Sequence, residues 1–247
     1  MYVIRRSFFW LCAIVLATCS QAIAHDPPPG ITTAGPNLPP PGVYLSPNDV
    51  HARYTGGALD IVLTAVQHQP FANQSATDYP PRCDSNSPVG GGACEHHHFE
   101  SELRAMVDPD GPGPLGSFPI TMQGPVDTNA YGRTVPGQLG TFPVEMTQMM
   151  LTGGTPLGPV MIRESPTLPS LGQTSIQSAG SGFAIDSFFD VFTELSIDGG
   201  LTWIPNSAPN ALGPAGSTHV DLYVPEPASF AMLALGLLGA FGIARRR

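Results

Sequence analysis

The sequence predicts an all-β fold, organised as a single β-sandwich-like domain of about 180 residues. Glycine and proline each occur 28 times in 247 residues, which interrupts the chain too often for long helices in its central part. Between these residues lie short segments in which apolar and polar residues alternate with a period of two, as in half-buried strands. A chain of this length can enclose one sizeable core.

Four segments show this alternation. Their apolar faces are Leu59, Ile61, Leu63 and Ala65; Phe99, Leu103, Ala105 and Val107; Phe183, Ile185, Phe189, Val191, Leu195 and Ile197; and Val220, Leu222 and Val224. In the first segment, Asp60, Thr64 and His68 are predicted on the opposite face. The third segment also fits a helical spacing around Phe188, but its β-branched and aromatic residues favour a strand.

The N-terminal 24 residues are predicted to be a signal peptide. Arg5 and Arg6 precede an apolar stretch over residues 7–19 that is short for a membrane span. The small residues of Ala22-Ile23-Ala24 then provide a site for signal peptidase, with cleavage before His25. The protein is therefore expected to leave the cytoplasm.

Residues 25–42 are rich in proline and are predicted to form an extended linker, followed by a β-rich extracellular domain over residues 43–224. An alternative for the N-terminus is lipid attachment at Cys19. Thr18 directly before that cysteine fits lipoprotein processing poorly, so signal-peptide cleavage is favoured.

The C-terminal 23 residues form a three-part segment. Pro225-Glu226-Pro227 is followed by an uncharged apolar stretch, residues 228–244, which is long enough for a transmembrane helix at the short end of the range. Arg245, Arg246 and Arg247 would remain on the cytoplasmic side by the positive-inside rule. The prolines keep the Pro-Glu-Pro triplet extended and accessible to a protease. An uncleaved tail anchor is the simpler alternative.

This arrangement resembles the PEP-CTERM sorting signal of exported bacterial proteins. The resemblance implies that an exosortase recognises and cuts the chain near Pro225, Glu226 and Pro227, after transient membrane anchoring. It also implies a final location at the cell surface or in an extracellular polysaccharide matrix of the biofilm type. The segment from Met161 to Leu195 is similar to one that recurs among PEP-CTERM proteins of unknown role, and it implies no activity.

The predicted domain is acidic. Five arginines and no lysine lie between the two terminal segments, against eighteen of the nineteen acidic residues, so its net charge is near −13. Such a surface argues against binding nucleic acid or anionic lipid headgroups, both of which need cationic contacts. It is compatible with neutral polysaccharides or divalent cations.

Two cysteines remain after removal of the leader. Cys83 and Cys94 enclose a polar, glycine-rich segment, and an even cysteine number in an oxidising compartment predicts a disulfide between them. Two zinc-binding thiolates are the alternative, although their spacing differs from that of CxxC sites.

Three consecutive histidines provide the best metal candidate. On a strand, His96, His98 and Glu100 would project to the same side, and imidazole with carboxylate suits zinc, copper or nickel. A further ligand from elsewhere in the fold would be required. The alternative is a solvated polar strand face without a cofactor.

One short motif predicts a tight hairpin turn. Ser196, Asp198, Gly200, Thr202 and Trp203 fit the pattern S-x-D-x-G-x-T-W. The motif resembles the Asp-box of sialidases, where it is structural and repeated once per propeller blade. The resemblance implies that Asp198 binds backbone amides and that Trp203 packs under the turn. Because the motif occurs once here, it argues against a propeller and against glycosidase activity.

The sequence contains no nucleophile elbow and no phosphate-binding loop, and no catalytic residue is predicted. The leading hypothesis is therefore a non-enzymatic surface or matrix protein. Its expected partners are signal peptidase, exosortase, the membrane before cleavage, and extracellular polysaccharide. Two alternatives are a carbohydrate-binding module of the matrix and a metal-binding protein that uses the His96–His98 cluster.

Overall fold

The computed structural model describes residues 31–56, 59–70, 76–78, 83, 87–89, 92–111, 114–156 and 158–223. This part of the chain forms thirteen β-strands and contains no helix, which confirms the all-β class. The strands are β1 (Ile31–Thr33), β2 (Val43–Leu45), β3 (Ala52–Gly56), β4 (Leu59–Pro70), β5 (Ala76–Asp78), β6 (Cys94–Asp108), β7 (Phe118–Tyr131), β8 (Gly140–Thr155), β9 (Gly158–Glu164), β10 (Ser170–Ala179), β11 (Gly182–Ser196), β12 (Ile204–Pro205) and β13 (Ser217–Tyr223).

The thirteen strands join into one sheet, and every strand-to-strand pairing is antiparallel. The order is β3-β4-β2-β13-β11-β10-β8-β7-β6-β5, and an additional pairing joins β4 and β6, which lie next to its two ends. The sheet therefore curls back on itself around one apolar core. The sequence predicted a β-sandwich, but the strand pairing is continuous within one sheet instead of being divided between two sheets.

Five long strands, β4, β6, β7, β8 and β11, run along the whole molecule, and shorter strands fill the spaces between them. On one side, β10 and β9 lie one after the other between β8 and β11. On the other side, β2 and β13 occupy one half of the space between β4 and β11, while β3 and β12 occupy the other half. Between each two long strands, one set of short strands ends and the next begins along a line. We call this line a seam.

The two ends of the sheet differ in what they carry. The tail end, defined by Ile31, Cys94 and Tyr223, is where β13 finishes. The turn end, defined by residues 109–117 and 197–203, carries the connections from β6 to β7 and from β11 to β12. Because β13 runs from the middle of the sheet toward the tail end, the chain reaches its C-terminal segment opposite the turn end.

The predicted alternation is correct in the second half of β6 and through most of β11. Phe99, Leu103, Ala105 and Val107 are all buried, as are Ile185, Phe189, Val191 and Leu195. A single strand therefore includes Phe188, which excludes the helical alternative there. Ile197 was predicted on the same apolar face, but it lies just beyond the end of β11 and is 41% exposed.

The face predicted for β4 is wrong after Thr64. A β-bulge shifts the pairing of β4 with β6 between Thr64 and Gln67, and Ala65 adopts a positive φ of 49°. The extra residue reverses the alternation. As a result, Ala65 is exposed, Val66 is buried in the core, and His68 faces the interior instead of solvent.

The segment predicted as an extended linker packs on the sheet from Ile31 onward. Ile31 pairs with Ile185 and is buried, and Leu38 also belongs to the apolar core. The side chain of Arg133 donates a hydrogen bond to the carbonyl of Pro36. Within the described residues, this proline-rich stretch therefore covers the tail end of the core.

The predicted signal peptide, residues 1–24, and the predicted C-terminal helix, residues 228–244, lie outside the described residues. Within the part of the chain that is described, no helix is long and apolar enough to cross a membrane.

Candidate functional site

The last strand brings the folded domain directly to the C-terminal segment. In β13, Asp221, Leu222 and Tyr223 pair with residues 43–45 of β2. Val224, which was predicted in the same strand, lies outside the described residues, as do Pro225, Glu226, Pro227 and the arginine tail. Strand pairing thus extends to within two residues of the Pro-Glu-Pro triplet.

The histidines proposed as metal ligands lie on the outer face of the sheet. His98 Nδ1 is 2.7 Å from Asp127 Oδ1, and His96 Nε2 is 3.6 Å from the same oxygen. His96 Nδ1 is also 2.8 Å from Asn129 Oδ1. Both imidazoles therefore have partners on β7, and Glu100 is two residues further along β6.

Those contacts make a cross-strand polar row rather than a defined metal centre. Among the residues that the structure describes, no group of three or more His, Cys, Asp or Glu side chains is arranged to hold a metal ion. The predicted set of His96, His98 and Glu100 would need to rearrange, and His98 would need to release Asp127, before it could bind one.

A second group of charged residues lies inside the sheet, where no site was predicted. Glu95 and His97 are 1% and 2% exposed, and Arg133 is 0% exposed. Arg133 Nη1 donates to Glu95 Oε2, while His97 Nε2 is 2.9 Å from Glu95 Oε1 without hydrogen-bond geometry. On its other side, His97 Nδ1 is 3.3 Å from Thr128 Oγ1. Glu95 and His97 alternate in step with Phe99 along β6, and this spacing is the sequence signal for their burial.

Two further histidines are buried close to the core. Burial, with a smaller effect of the neighbouring His68, lowers the pKa of His51 to about 3. Burial also lowers the pKa of His68 to about 4. Both rings are therefore neutral at neutral pH. His68 and His97 line a cavity of about 40 Å³ near the tail end, together with Tyr44 and Thr128.

Ser87 connects the segment between Cys83 and Cys94 to the sheet. The Cα atoms of Cys83 and Cys94 are 6.0 Å apart, a separation that suits a disulfide. Ser87, within the loop, donates to Glu145 Oε2 at 2.6 Å, and Tyr131 donates to the same oxygen at 2.6 Å. These bonds connect the loop to β7 and β8 independently of the sulfur atoms.

The turn after β11 is organised around Asp198. Its Oδ1 accepts hydrogen bonds from the backbone amides of Leu201 and Thr202 at 3.0 and 2.9 Å, and its Oδ2 accepts from the Thr202 hydroxyl at 2.5 Å. Ser196 donates to Asp198 Oδ1 at 2.8 Å and accepts from the Gly200 amide. These hydrogen bonds lower the pKa of Asp198 to about 2, and the bond from the Thr202 hydroxyl has the largest effect.

The Trp203 ring in this turn is engaged on two sides. Its Nε1 donates to the carbonyl of Gly200 at 3.1 Å, and the Arg163 guanidinium lies 4.0 Å from the ring centroid. Arg163 also bonds Glu194 through two nitrogens. A ring face covered by a paired guanidinium offers little free surface for stacking on a sugar.

A third polar cluster, also absent from the sequence prediction, lies on the outer face near β13. His219 Nδ1 is 2.9 Å from Asp190 Oδ1, and His219 Nε2 is 3.1 Å from Asp221 Oδ1. Phe188 stacks on the imidazole with centroids 5.2 Å apart. The hydrogen bond with Asp221, followed by that with Asp190, raises the pKa of His219. Both ring nitrogens are occupied, which leaves none free to act on a substrate.

Comparison with known proteins identifies one segment. Residues 224–247 match the model of the PEP-CTERM protein-sorting motif, so the chain carries an exosortase sorting signal directly after β13. This match implies export and a membrane-associated sorting step. No curated protein and no solved structure matches the chain.

Proposed function

We propose that this protein is a non-enzymatic component of the cell surface or extracellular matrix that an exosortase cuts from its membrane anchor. The observation that carries the proposal is the position of the sorting motif, which begins at residue 224, immediately after the last strand of the sheet. The β-rich domain is then the cargo, and residues 224–247 are the sorting segment.

The closeness of strand and motif has a mechanical consequence. Tyr223 is held in the sheet by its pairing with Val43. An extended chain covers at most about 3.5 Å per residue, so the Pro-Glu-Pro triplet lies within about 10–15 Å of the folded sheet. The exosortase would therefore act on a folded domain held close to the membrane surface, and cleavage would release it whole.

The proposed structural role of the domain is supported by how its polar groups are used. Asp198 organises a turn, Asp127 binds two histidines, and both nitrogens of His219 contact carboxylates. Such groups stabilise local structure instead of presenting an acid, a base or a nucleophile to solvent. The proposed role accordingly requires no cofactor.

Because the domain is acidic and contains no lysine, it is suited to a location among neutral polymers or polymers that cations bridge. Extracellular polysaccharide is the proposed partner there, because a domain near −13 would be repelled by anionic lipid and nucleic acid. Carbohydrate binding through Trp203 is not pursued as a second function, since Arg163 covers that ring.

The sorting step is tested by comparing Glu226→Gln with wild type in a host that has an active exosortase and in the same host without it. Wild type is expected to lose its C-terminal segment only when exosortase is present. Glu226→Gln is expected to retain more of it, because the substitution removes the only charge of the Pro-Glu-Pro triplet.

Glu100→Gln is the matched control, because it makes the same change on the outer face of the folded domain. It should be cleaved as efficiently as wild type. Equal loss of the C-terminal segment with and without exosortase would show that another protease is responsible and would contradict the proposal.

A further inference from the structure

The turn end of the sheet contains an apolar pocket with a volume of about 140 Å³. Residues of β4, β6, β7, β8, β9 and β11 form its walls, among them Leu63, Val107, Met122, Ile162 and Leu195. All its described lining residues are apolar except Thr155. Such a surface neither binds water well nor neutralises a charged ligand.

The volume of the pocket limits what it can hold. An engineered protein cavity of about 150 Å³ with similar aliphatic walls stays dry and binds benzene or xenon. The pocket is of nearly that size, which is room for one group of about six or seven carbon atoms. A close-packed interior contains few voids larger than a water molecule, so a space of this size is unusual for a core.

The mouth of the pocket is held by rigid structure. Ile197 lines the pocket, is 41% exposed, and stands beside Asp198, whose carboxylate receives three hydrogen bonds from Leu201 and Thr202. A wall fixed in this way reduces the ordering that a ligand must impose on binding. The pocket also lies at the end of the sheet opposite Tyr223, so a membrane-proximal C-terminal segment would leave it accessible.

We propose that this pocket binds one small, uncharged apolar molecule of about the size of benzene or toluene. The proposal concerns the folded domain alone, and it would stand if another protease performed the C-terminal cleavage. Binding would be driven by apolar burial and shape, with no salt bridge at the site.

Methyl NMR of the full chain in lipid nanodiscs tests the proposal, with benzene as the probe and the methionine methyl groups labelled. Met122 lines the pocket, whereas Met146 lines the separate cavity near the tail end. Benzene is expected to shift the Met122 signal saturably and to leave the Met146 signal unchanged. Bound benzene should also raise the midpoint of thermal unfolding as its concentration increases.

Val160→Phe places a larger side chain in the pocket wall and should abolish the saturable shift. Val135→Phe makes the same change at an exposed position outside the pocket lining and should preserve it. Val160→Leu is a milder change and replaces Val160→Phe if that variant does not fold. It should weaken the binding.

Three results would overturn the proposal. The first is a Met122 signal that does not respond at saturating benzene. The second is an unchanged response in folded Val160→Phe. The third is a stronger response to octanoate than to benzene, which would identify an acyl chain as the occupant instead of a small uncharged molecule.

Discussion

Asn206 and Thr218 join the two short strands that meet at one seam of the sheet. Asn206 Nδ2 donates to Thr218 Oγ1 at 3.1 Å, and that hydroxyl donates onward to the carbonyl of His51 at 2.7 Å. The Asn206 Oδ1 atom accepts from the backbone amides of Arg53 and Ala208, each at 2.9 Å. One amide side chain thus links the backbone of β3, the residues that follow β12, and the Thr218 hydroxyl of β13.

Asn206→Ala is expected to lower the free energy of unfolding by about 2–4 kcal/mol, because it leaves the backbone amides of Arg53 and Ala208 without their acceptor and removes the donor to the Thr218 hydroxyl. Urea unfolding at neutral pH measures this loss. Asn48→Ala serves as the control, since the Asn48 side chain makes none of these seam contacts, and it should remain close to wild type. Equal midpoints for the two variants would show that the seam does not depend on Asn206.

Glu95→Gln is expected to destabilise the fold by ~3–5 kcal/mol, because Arg133 would remain charged and fully buried without its carboxylate. The matched change Asp60→Asn removes the carboxylate of the exposed Arg53–Asp60 pair and should have only a small effect. Thermal or urea unfolding of both variants gives the comparison. A small effect of Glu95→Gln would mean that the Arg133 guanidinium finds other partners or water.

Glu164→Gln is expected to stabilise the fold in alkaline solution. Burial first, and then the neighbouring carboxylates Glu145 and Glu194, raise the pKa of Glu164 from 4.5 to about 7, although the Ser170 hydroxyl opposes this shift. Because the folded pKa exceeds the unfolded pKa, wild type loses stability as the pH rises from about 4.5 through 7. The variant avoids that loss.

The expected gain of Glu164→Gln over wild type is about 1–2 kcal/mol at pH 8, after discounting for the partial exposure of the side chain. Unfolding in urea at pH 5 and pH 8 provides the measurement, and the gain should be much smaller at pH 5. A difference that is the same at both pH values would rule out ionisation of Glu164 as its cause.

Asp198→Asn is expected to destabilise the turn after β11 at neutral pH, because its backbone and hydroxyl donors prefer a carboxylate. The folded pKa of Asp198 is lowered to about 2, so the stabilising contribution is present above the unfolded pKa near 4 and is lost as the pH falls through 2. The difference between variant and wild type should therefore disappear in strong acid. Asp49→Asn, at an exposed loop position, controls for the loss of one negative charge.

Local patterns allowed much of the fold to be predicted. Alternation located β6 and β11 and placed Phe99 and Ile185 in the core, because side chains on successive strand residues point to opposite faces. The Asp198 motif identified a tight turn, since its residues contact one another over four positions. The same alternation applies to His97, which is buried and lies on the opposite face of β6 from His96 and His98.

Other features depend on contacts that are distant in sequence. The bulge at Ala65 arises from the pairing of β4 with β6, about 40 residues away, and no local signal marks it. The pairing of Arg133 with Glu95 and the position of Asn206 at the seam likewise need the complete arrangement of strands. Residues of six strands line the apolar pocket, so no single segment of the sequence indicates it.

The most direct test of the central claim is the intact mass of the protein recovered from its native envelope and medium. We expect a chain that begins at His25, ends near the Pro225-Glu226-Pro227 triplet, and lacks the apolar segment and arginine tail. A mass that still ends at Arg247, with the protein confined to membranes, would contradict exosortase processing.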